Sequence, residues 1–126
     1  MLASCLATGF DPYLGFYHHP RYGRPALALD LAEPFRPLIA DSTVLTAINN
    51  AEITPADFLV RGDAVALTPD GRRRFIGAYE RRLRHTIRHP LFGYQISYRR
   101  LLDLQTRLLA AHILGDTPSY QPFVTR

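Results

Sequence analysis

Residues 15–37 read GFYHHPRYGRPALALDLAEPFRP, a stretch that predicts an irregular loop followed by a bent helix. Pro25 suits the first position of a helix, because the amide that proline lacks would have no partner there. Pro34 removes the amide that would bond to the carbonyl of Asp30. We therefore expect a helix over residues 26–33 that kinks or restarts beside its carboxylates.

The same stretch gathers groups that could bind a metal ion. His18 and His19 lie in the loop, and Asp30 and Glu33 are three residues apart, so a helix would place both carboxylates on one face. One imidazole with carboxylates and no thiolate favours Mg²⁺ or Mn²⁺ over structural zinc. Paired histidines in loops are usually solvated, and an acidic pair on a helix is often just a polar face, so this second interpretation also stays open at this point.

Length and composition are those of one compact globular domain, with 126 residues, 47 % apolar and 21 % charged. No apolar run is long enough for a membrane span, and the N-terminus lacks a secretory signature, so we expect a cytoplasmic protein without a membrane partner. The single cysteine, Cys5, lies among apolar residues and is expected to be a core residue, which argues against a thiol mechanism.

Positive charge is concentrated in one part of the chain. Every basic residue is an arginine, and residues 72–107 hold ten arginines against two acids, a formal charge of +8. The rest of the chain carries −4. Such asymmetry favours a basic surface offered to a polyanion and an acidic region near the candidate metal site.

The pattern of apolar residues and helix-breaking residues predicts an all-α fold, a single helical domain over residues 1–126 with at most one small β-hairpin. Helices are expected at Met1–Thr8, ended by Gly9, at 26–33, at about 38–49, at 68–87 and at 98–114, with the hairpin strands at 58–60 and 64–67.

Four arginines of the fourth helix are expected to form a stripe that binds DNA phosphates: Arg73, Arg81, Arg84 and Arg88. Gly77 in the middle of the stripe would allow a DNA backbone to approach closely. No acid interrupts the stripe in the helical projection, which argues against ion pairs within it. The alternative is an ordinary solvated face.

Several segments together resemble the C-terminal domain of the CRISPR-associated Cas-one endonuclease and integrase family. They cover nearly the whole chain and include GFDPYLGFYH at 9–18, RYGRPALALDLAEPFRPLI at 21–39, AYERRL at 78–83 and YRRLLDLQ at 98–105.

The resemblance implies a helical catalytic domain that binds a divalent ion, Mg²⁺ or Mn²⁺. By position, His18 matches the family's histidine ligand, Glu33 its acidic ligand and Asp30 the neighbouring aspartate that completes the site, so all three are expected catalytic and metal-binding residues. It further implies insertion of spacer DNA into a repeat array, by attack of a 3′-hydroxyl on a phosphodiester.

The partners implied by the resemblance are double-stranded DNA, both spacer precursor and repeat, a second copy of the protein, and a second, smaller CRISPR adaptation protein. The family also has an N-terminal β-domain and a glutamate ligand upstream of this region, neither of which lies within residues 1–126. We therefore expect a truncated chain with weak or absent activity alone. The alternative function is a non-catalytic helical DNA-binding module or a degenerate remnant.

Overall fold

The computed structural model describes residues 1–124, and the chain forms two compact units. The first comprises Met1–Phe35 with the described part of Thr86–Arg126, and the second comprises Arg36–His85. The assignment of residues 1–126 to one catalytic domain stays a prediction.

The first unit begins with two helices that agree with the sequence pattern. Helix α1 spans Leu2–Ala7, and the chain turns away at Gly9 with a positive φ of 82°, a backbone region that glycine enters without steric cost. Helix α2 spans Ala26–Ala32. A 3₁₀ turn at Glu33–Phe35 follows at once, so the helix changes type at the expected proline.

The core of the first unit lies where α2 packs on α1 and on helix α5, Tyr98–Ile113. Cys5, Leu27 and Ala28 are buried there. Gln105 on α5 is also buried, and its Oε1 accepts hydrogen bonds from the Tyr120 hydroxyl and the Phe123 amide, both at 3.0 Å. These bonds hold the segment after α5 against that helix.

The second unit contains a π-helical turn at Pro37–Asp41, helix α3 at Ser42–Asn49 and helix α4 at Pro69–Arg84. Its buried cluster consists of Ala47, Ile53 and Ala78. Strands β1, Phe58–Arg61, and β2, Ala64–Leu67, form the expected antiparallel hairpin of this unit.

Two predictions of secondary structure are wrong at the end of α4. The helix ends at Arg84, and Thr86–Arg88 forms a strand, β3, that pairs antiparallel with β4, Gln95–Ser97. The break occurs at His85, whose ψ of 131° is extended. The structure therefore has two small hairpins, and the all-α prediction is right only for the dominant secondary structure.

None of the helices within residues 1–124 combines the length and apolar character needed to cross a bilayer.

Candidate metal centre

The loop before α2 is folded onto that helix by a single carboxylate. Asp30 accepts hydrogen bonds from three consecutive backbone amides: Oδ2 from Phe16 at 2.6 Å and Tyr17 at 3.0 Å, and Oδ1 from His18 at 2.9 Å. These bonds satisfy loop amides that form no regular ladder. The backbone at the predicted histidine is thus fixed by the predicted acid.

Asp30 also binds the imidazole of His18, with Nδ1 2.6 Å from Oδ1. An ionised carboxylate can only accept hydrogen bonds, so Nδ1 carries the proton. In the neutral ring this leaves the lone pair on Nε2. Metal-binding histidines commonly donate the N–H of their other ring nitrogen to a carboxylate, which orients the imidazole and raises its basicity as a ligand.

His18 Nε2 faces the second predicted carboxylate. The distance from Nε2 to Glu33 Oε1 is 3.8 Å, and the Glu33 side chain is 44 % exposed against 14 % for His18. Adjacent donors on one octahedral ion lie about 3 Å apart, so a small movement of the exposed glutamate would bring both within reach of one cation. His18 Nε2 and Glu33 Oε1 are thus one nitrogen and one oxygen donor that lie close together, and a cation can reach them from the exposed Glu33 side.

The ionisation of Asp30 reflects these contacts. Burial disfavours the charged carboxylate and by itself raises its pKa, but the hydrogen bonds from His18, Phe16 and Tyr17 outweigh that effect and lower the pKa of Asp30 to about 2. Asp30 is therefore an anion throughout the physiological range. Its side chain is only 12 % exposed, so its negative charge acts mainly on the His18 ring and the loop amides.

Gly15 is a residue of the site that the sequence did not identify. A Cβ atom at this position would lie 2.6 Å from the Ala26 Cβ and 2.9 Å from Asp30 Oδ2. The loop can therefore approach α2 closely enough for Asp30 to reach the amides only because residue 15 has no side chain. The sequence feature that could have identified Gly15 is its position directly before the aromatic residues that lead to His18.

The donors present fit an Mg²⁺ or Mn²⁺ ion in part. His18 and Glu33 supply two donors of the right chemical type, whereas both oxygens of Asp30 are already hydrogen bonded. Over residues 1–124, no group of three His, Cys, Asp or Glu side chains is arranged to hold a metal ion. His19 is exposed and lies outside this arrangement. The metal-binding role of all three predicted residues stays a prediction.

Three predicted DNA-binding arginines lie on α4, but the expectation that they would lack ion pairs is wrong. Each has a carboxylate partner, and the pairs are Arg73 with Asp70 at 3.2 Å, Arg84 with Glu80 at 3.6 Å, and Arg81 with Glu52. The Glu52 partner comes from outside the helix, so no helical projection could reveal it. The pairs are exposed on the arginine side, where such contacts contribute little to stability.

Arg88 does not belong to the stripe. It lies in β3, and its Nε donates a hydrogen bond to the Gly93 carbonyl at 3.0 Å. The sequence predicts that this helix continues to about residue 87, whereas α4 ends at Arg84. Only the periodicity of that longer helix places Arg88 on the same face as the other arginines.

The model of the family described as CRISPR associated protein Cas1 matches residues 1–81. The chain belongs to the Cas1 family. A Cas4 exonuclease/Cas1 endonuclease fusion from Geobacter sulfurreducens is 59 % identical over 120 residues, 95 % of this chain and 22 % of the relative. A Cas1 endonuclease from Thermus thermophilus is 44 % identical over 98 % of this chain and 37 % of the relative.

Solved structures share the fold of this Cas1 chain. A Cas1 protein from Thermotoga maritima superposes with a TM-score of 0.82 at 30 % identity, over 90 % of this chain and 35 % of that one. A casposase bound to an integration product gives a TM-score of 0.84 at 24 % identity, over 95 % of this chain and 35 % of the other. The Cas1 chain thus spans about a fifth to two fifths of these proteins.

Proposed function

We propose that this chain is the C-terminal catalytic part of a CRISPR adaptation integrase, which inserts spacer DNA into the repeat array by attack of a 3′-hydroxyl on a phosphodiester. The observation that carries the proposal is His18, which is held through Nδ1 by Asp30 and faces Glu33 through Nε2. Membership of the Cas1 family supports the reaction class, because its matched relatives are named endonucleases.

His18 and Glu33 would hold a divalent ion, Mg²⁺ or Mn²⁺, and Asp30 would position His18 without binding the ion. When bound, such an ion activates a hydroxyl nucleophile and stabilises charge on the phosphate oxygens. The protein's own part is to keep the Nδ1 proton on the Asp30 side, so that the Nε2 lone pair stays directed at the site. The exposed Glu33 carboxylate can move toward the ion without disturbing the core.

A third protein donor would come from a part of the intact protein outside this chain, because the described residues supply only two donors. The resemblance to the family suggests a glutamate. The intact protein would act in the cytoplasm as a homodimer, together with a second CRISPR adaptation protein, on double-stranded spacer precursor and repeat DNA. The isolated chain would then be weakly active or inactive.

The test compares two neighbouring histidines in the intact protein. His18→Ala should lower Mn²⁺-dependent strand transfer by about 100-fold or more, since it removes a ligand together with its orienting contact. DNA binding should stay within about twofold, because the arginines expected to contact phosphates are unchanged. His19→Ala, the adjacent exposed histidine, is the matched control and should keep full activity. Strand transfer by His18→Ala at the wild-type rate would refute the proposal.

A non-catalytic DNA-binding module is the second candidate, and the two-donor site together with the arginines of α4 favours it. It predicts duplex binding by the 126-residue chain that is insensitive to Mn²⁺. It also predicts that no intact form of the protein performs strand transfer. Mn²⁺ titration followed by electron paramagnetic resonance, on the chain and on the intact protein, distinguishes the two functions.

A further inference from the structure

Glu33 is the more exposed member of the candidate metal centre, and few contacts hold its carboxylate. Its side chain faces His18 Nε2 at 3.8 Å, and among residues 1–124 the carboxylate accepts no hydrogen bond. Rotation of the side chain can bring the carboxylate to an ion, but only from a backbone that lies in the right place. That backbone belongs to the 3₁₀ turn at Glu33–Phe35.

The two ends of this turn are held by different kinds of contact. At its start, the Glu33 amide donates to the Leu29 carbonyl and so continues the pattern of α2. Pro34 has no amide to donate. At the end of the turn, the buried ring of Phe35 stacks on the ring of Phe123, with centroids 5.7 Å apart and planes at 21°. The end of the turn therefore depends on a residue of the segment that follows α5.

That segment is held in place by one buried side chain of α5. It has no regular secondary structure of its own over residues 116–124. Gln105 is 2 % exposed, and its Oε1 accepts from the Phe123 amide and from the Tyr120 hydroxyl, both at 3.0 Å. Its Nε2 lies 3.5 Å from the Gln121 carbonyl oxygen. The polar atoms of Gln105 are thus directed at the residues that place the Phe123 ring.

A chain of packed groups therefore leads from Gln105 to the Glu33 carboxylate. Because protein interiors are close-packed, a shift of the Phe123 ring would remove the stacking partner of Phe35 and release the end of the turn. The imidazole of the site has a support of its own, in hydrogen bonds to the carboxylate on α2. Loss of Gln105 should therefore displace the Glu33 carboxylate and leave the imidazole in place.

We propose that Gln105 is a positioning residue of the candidate metal centre, which keeps Glu33 opposite His18 through the stacked rings of Phe123 and Phe35. This inference rests on the proposed function, since only that function makes Glu33 a ligand. Gln105 itself touches neither the ion nor the DNA. The inference gives helix α5 and the segment after it, which carry none of the proposed ligands, a part in the geometry of the site.

The first measurement needs no metal, so it does not depend on the proposed function. Amide hydrogen exchange of the 126-residue chain is followed by NMR under native conditions. Gln105→Met keeps the length of the side chain but has no comparable acceptor, so exchange of the Glu33 amide should become about tenfold faster as the turn opens.

Thr106→Val is the matched control for this measurement. Thr106 is the next residue of α5 and fully buried, and its hydroxyl lies 3.1 Å from the Leu102 carbonyl and 3.3 Å from the Met1 sulfur. The variant removes a buried polar group from the same helix without touching the segment after α5. It should change exchange of the Glu33 amide by less than about twofold, because a local opening at the turn does not depend on that hydroxyl.

The second measurement is Mn²⁺ titration of the intact protein, followed by electron paramagnetic resonance. Gln105→Met should weaken Mn²⁺ binding about tenfold, as expected for the loss of a group that orients a ligand, and Thr106→Val should not. In a Glu33→Gln background, Gln105→Met should cause no further loss, because the carboxylate that it positions is already absent. Phe123→Leu keeps the amide hydrogen bond but removes the stacked ring, so it should weaken Mn²⁺ binding too and provides a second variant if Gln105→Met does not fold.

Two results would overturn the inference. Equal exchange of the Glu33 amide in Gln105→Met and Thr106→Val would show that Gln105 only stabilises the fold. An equal loss of Mn²⁺ affinity from Gln105→Met in the wild-type and Glu33→Gln backgrounds would show that it does not act through Glu33. Absence of Mn²⁺ binding by the intact wild-type protein would instead refute the proposed function, while the exchange rates still decide whether Gln105 holds the turn.

Discussion

Asp30 accepts hydrogen bonds from three amides and one imidazole nitrogen, and this single residue determines both the loop backbone and the His18 tautomer. Its spacing from Glu33 in the sequence predicts that the two carboxylates share one face of a helix. The structure separates their surroundings, since the Asp30 side chain is 12 % exposed and the Glu33 side chain 44 %. Spacing along a helix could not distinguish a carboxylate enclosed by its own loop from one that faces solvent.

Asp30→Asn should destabilise the protein by about 1–3 kcal/mol at pH 7, because an amide oxygen cannot replace both accepting oxygens and amide donors are left unpaired. It should also weaken Mn²⁺ binding by about 10–100-fold in the intact protein, as expected for a residue that orients a ligand. Urea unfolding and Mn²⁺ titration measure the two effects. Asp63→Asn, at an exposed turn of the β1–β2 hairpin, is the control and should change neither.

The stabilisation from Asp30 should depend on pH in a defined direction. Its pKa is about 2 in the folded protein and about 3.9 in an unfolded chain, so its contribution is complete above about pH 4 and disappears as the pH falls toward 2. The difference in unfolding free energy between wild type and Asp30→Asn should therefore shrink between pH 5 and pH 2. A difference that grows toward low pH would contradict the assigned hydrogen bonds.

Among the elements, α4 contains two glycines whose surroundings differ: Gly71 is closely packed, and Gly77 is not. A Cβ at Gly71 would lie 2.8 Å from the Asp57 Cβ and 3.0 Å from its carbonyl oxygen, whereas a Cβ at Gly77 would meet only the end of the Arg81 side chain at 3.6 Å. Gly71 allows the first turn of α4 to pack on the turn that precedes the hairpin. Gly77 has no such packing role in the folded chain.

Gly71→Ala should lower the free energy of unfolding by about 1–3 kcal/mol through overpacking, and Gly77→Ala should raise it by about 0.5–1 kcal/mol through helix propensity. Thermal and urea unfolding of both variants measure the difference. If DNA approaches the helix at Gly77, the Gly77→Ala variant should bind duplex more weakly while being more stable. Equal destabilisation by both substitutions would contradict the packing described here.

Helix starts and stops were predictable where one residue determines them. Gly9 and Gly115 take positive φ values of 82° and 83° at the ends of α1 and α5, and the Ser97 side chain accepts from the Arg100 amide at the start of α5, each as the residue type predicts. The β3–β4 hairpin was missed because its three-residue strands are too short to show alternation. Its pairing joins Thr86 with Ser97, Ile87 with Ile96 and Arg88 with Gln95, and no local pattern of either strand reveals this register.

At the scale of the whole molecule, the sequence alone gives the +8 charge of residues 72–107. It does not show which of these arginines form ion pairs with carboxylates. Glu52, outside α4, pairs with Arg81, and the extended backbone at His85 places Arg88 in a strand. Both facts depend on tertiary structure. The basic region therefore offers fewer unpaired cations to DNA than its composition suggests.

Replacing two arginines of α4, Arg81→Ala with Arg84→Ala, should weaken duplex binding and reduce the magnitude of the slope of log K against log salt by about 1.8, if each contacts one phosphate. Anisotropy titrations between low and moderate salt measure the slope. Arg107→Ala is a matched control, since Arg107 is paired with Asp103 at 3.0 Å on α5. An unchanged slope in the double variant would identify the α4 arginines as a solvated face.

Because Cys5 is buried, the reactivity of its thiol can be used to measure local opening of the first unit. Cys5 is the single cysteine of the chain, its side chain is packed against Leu27 and Ala28 of α2, and burial raises the pKa of its thiol. An alkylating reagent can therefore modify Cys5 only when α1 and α2 separate, so the labelling rate measures the opening of the helix that carries Asp30. Ligands that bind at His18 and Glu33 should slow the labelling in proportion to their occupancy, which mass spectrometry can follow in the unmodified protein.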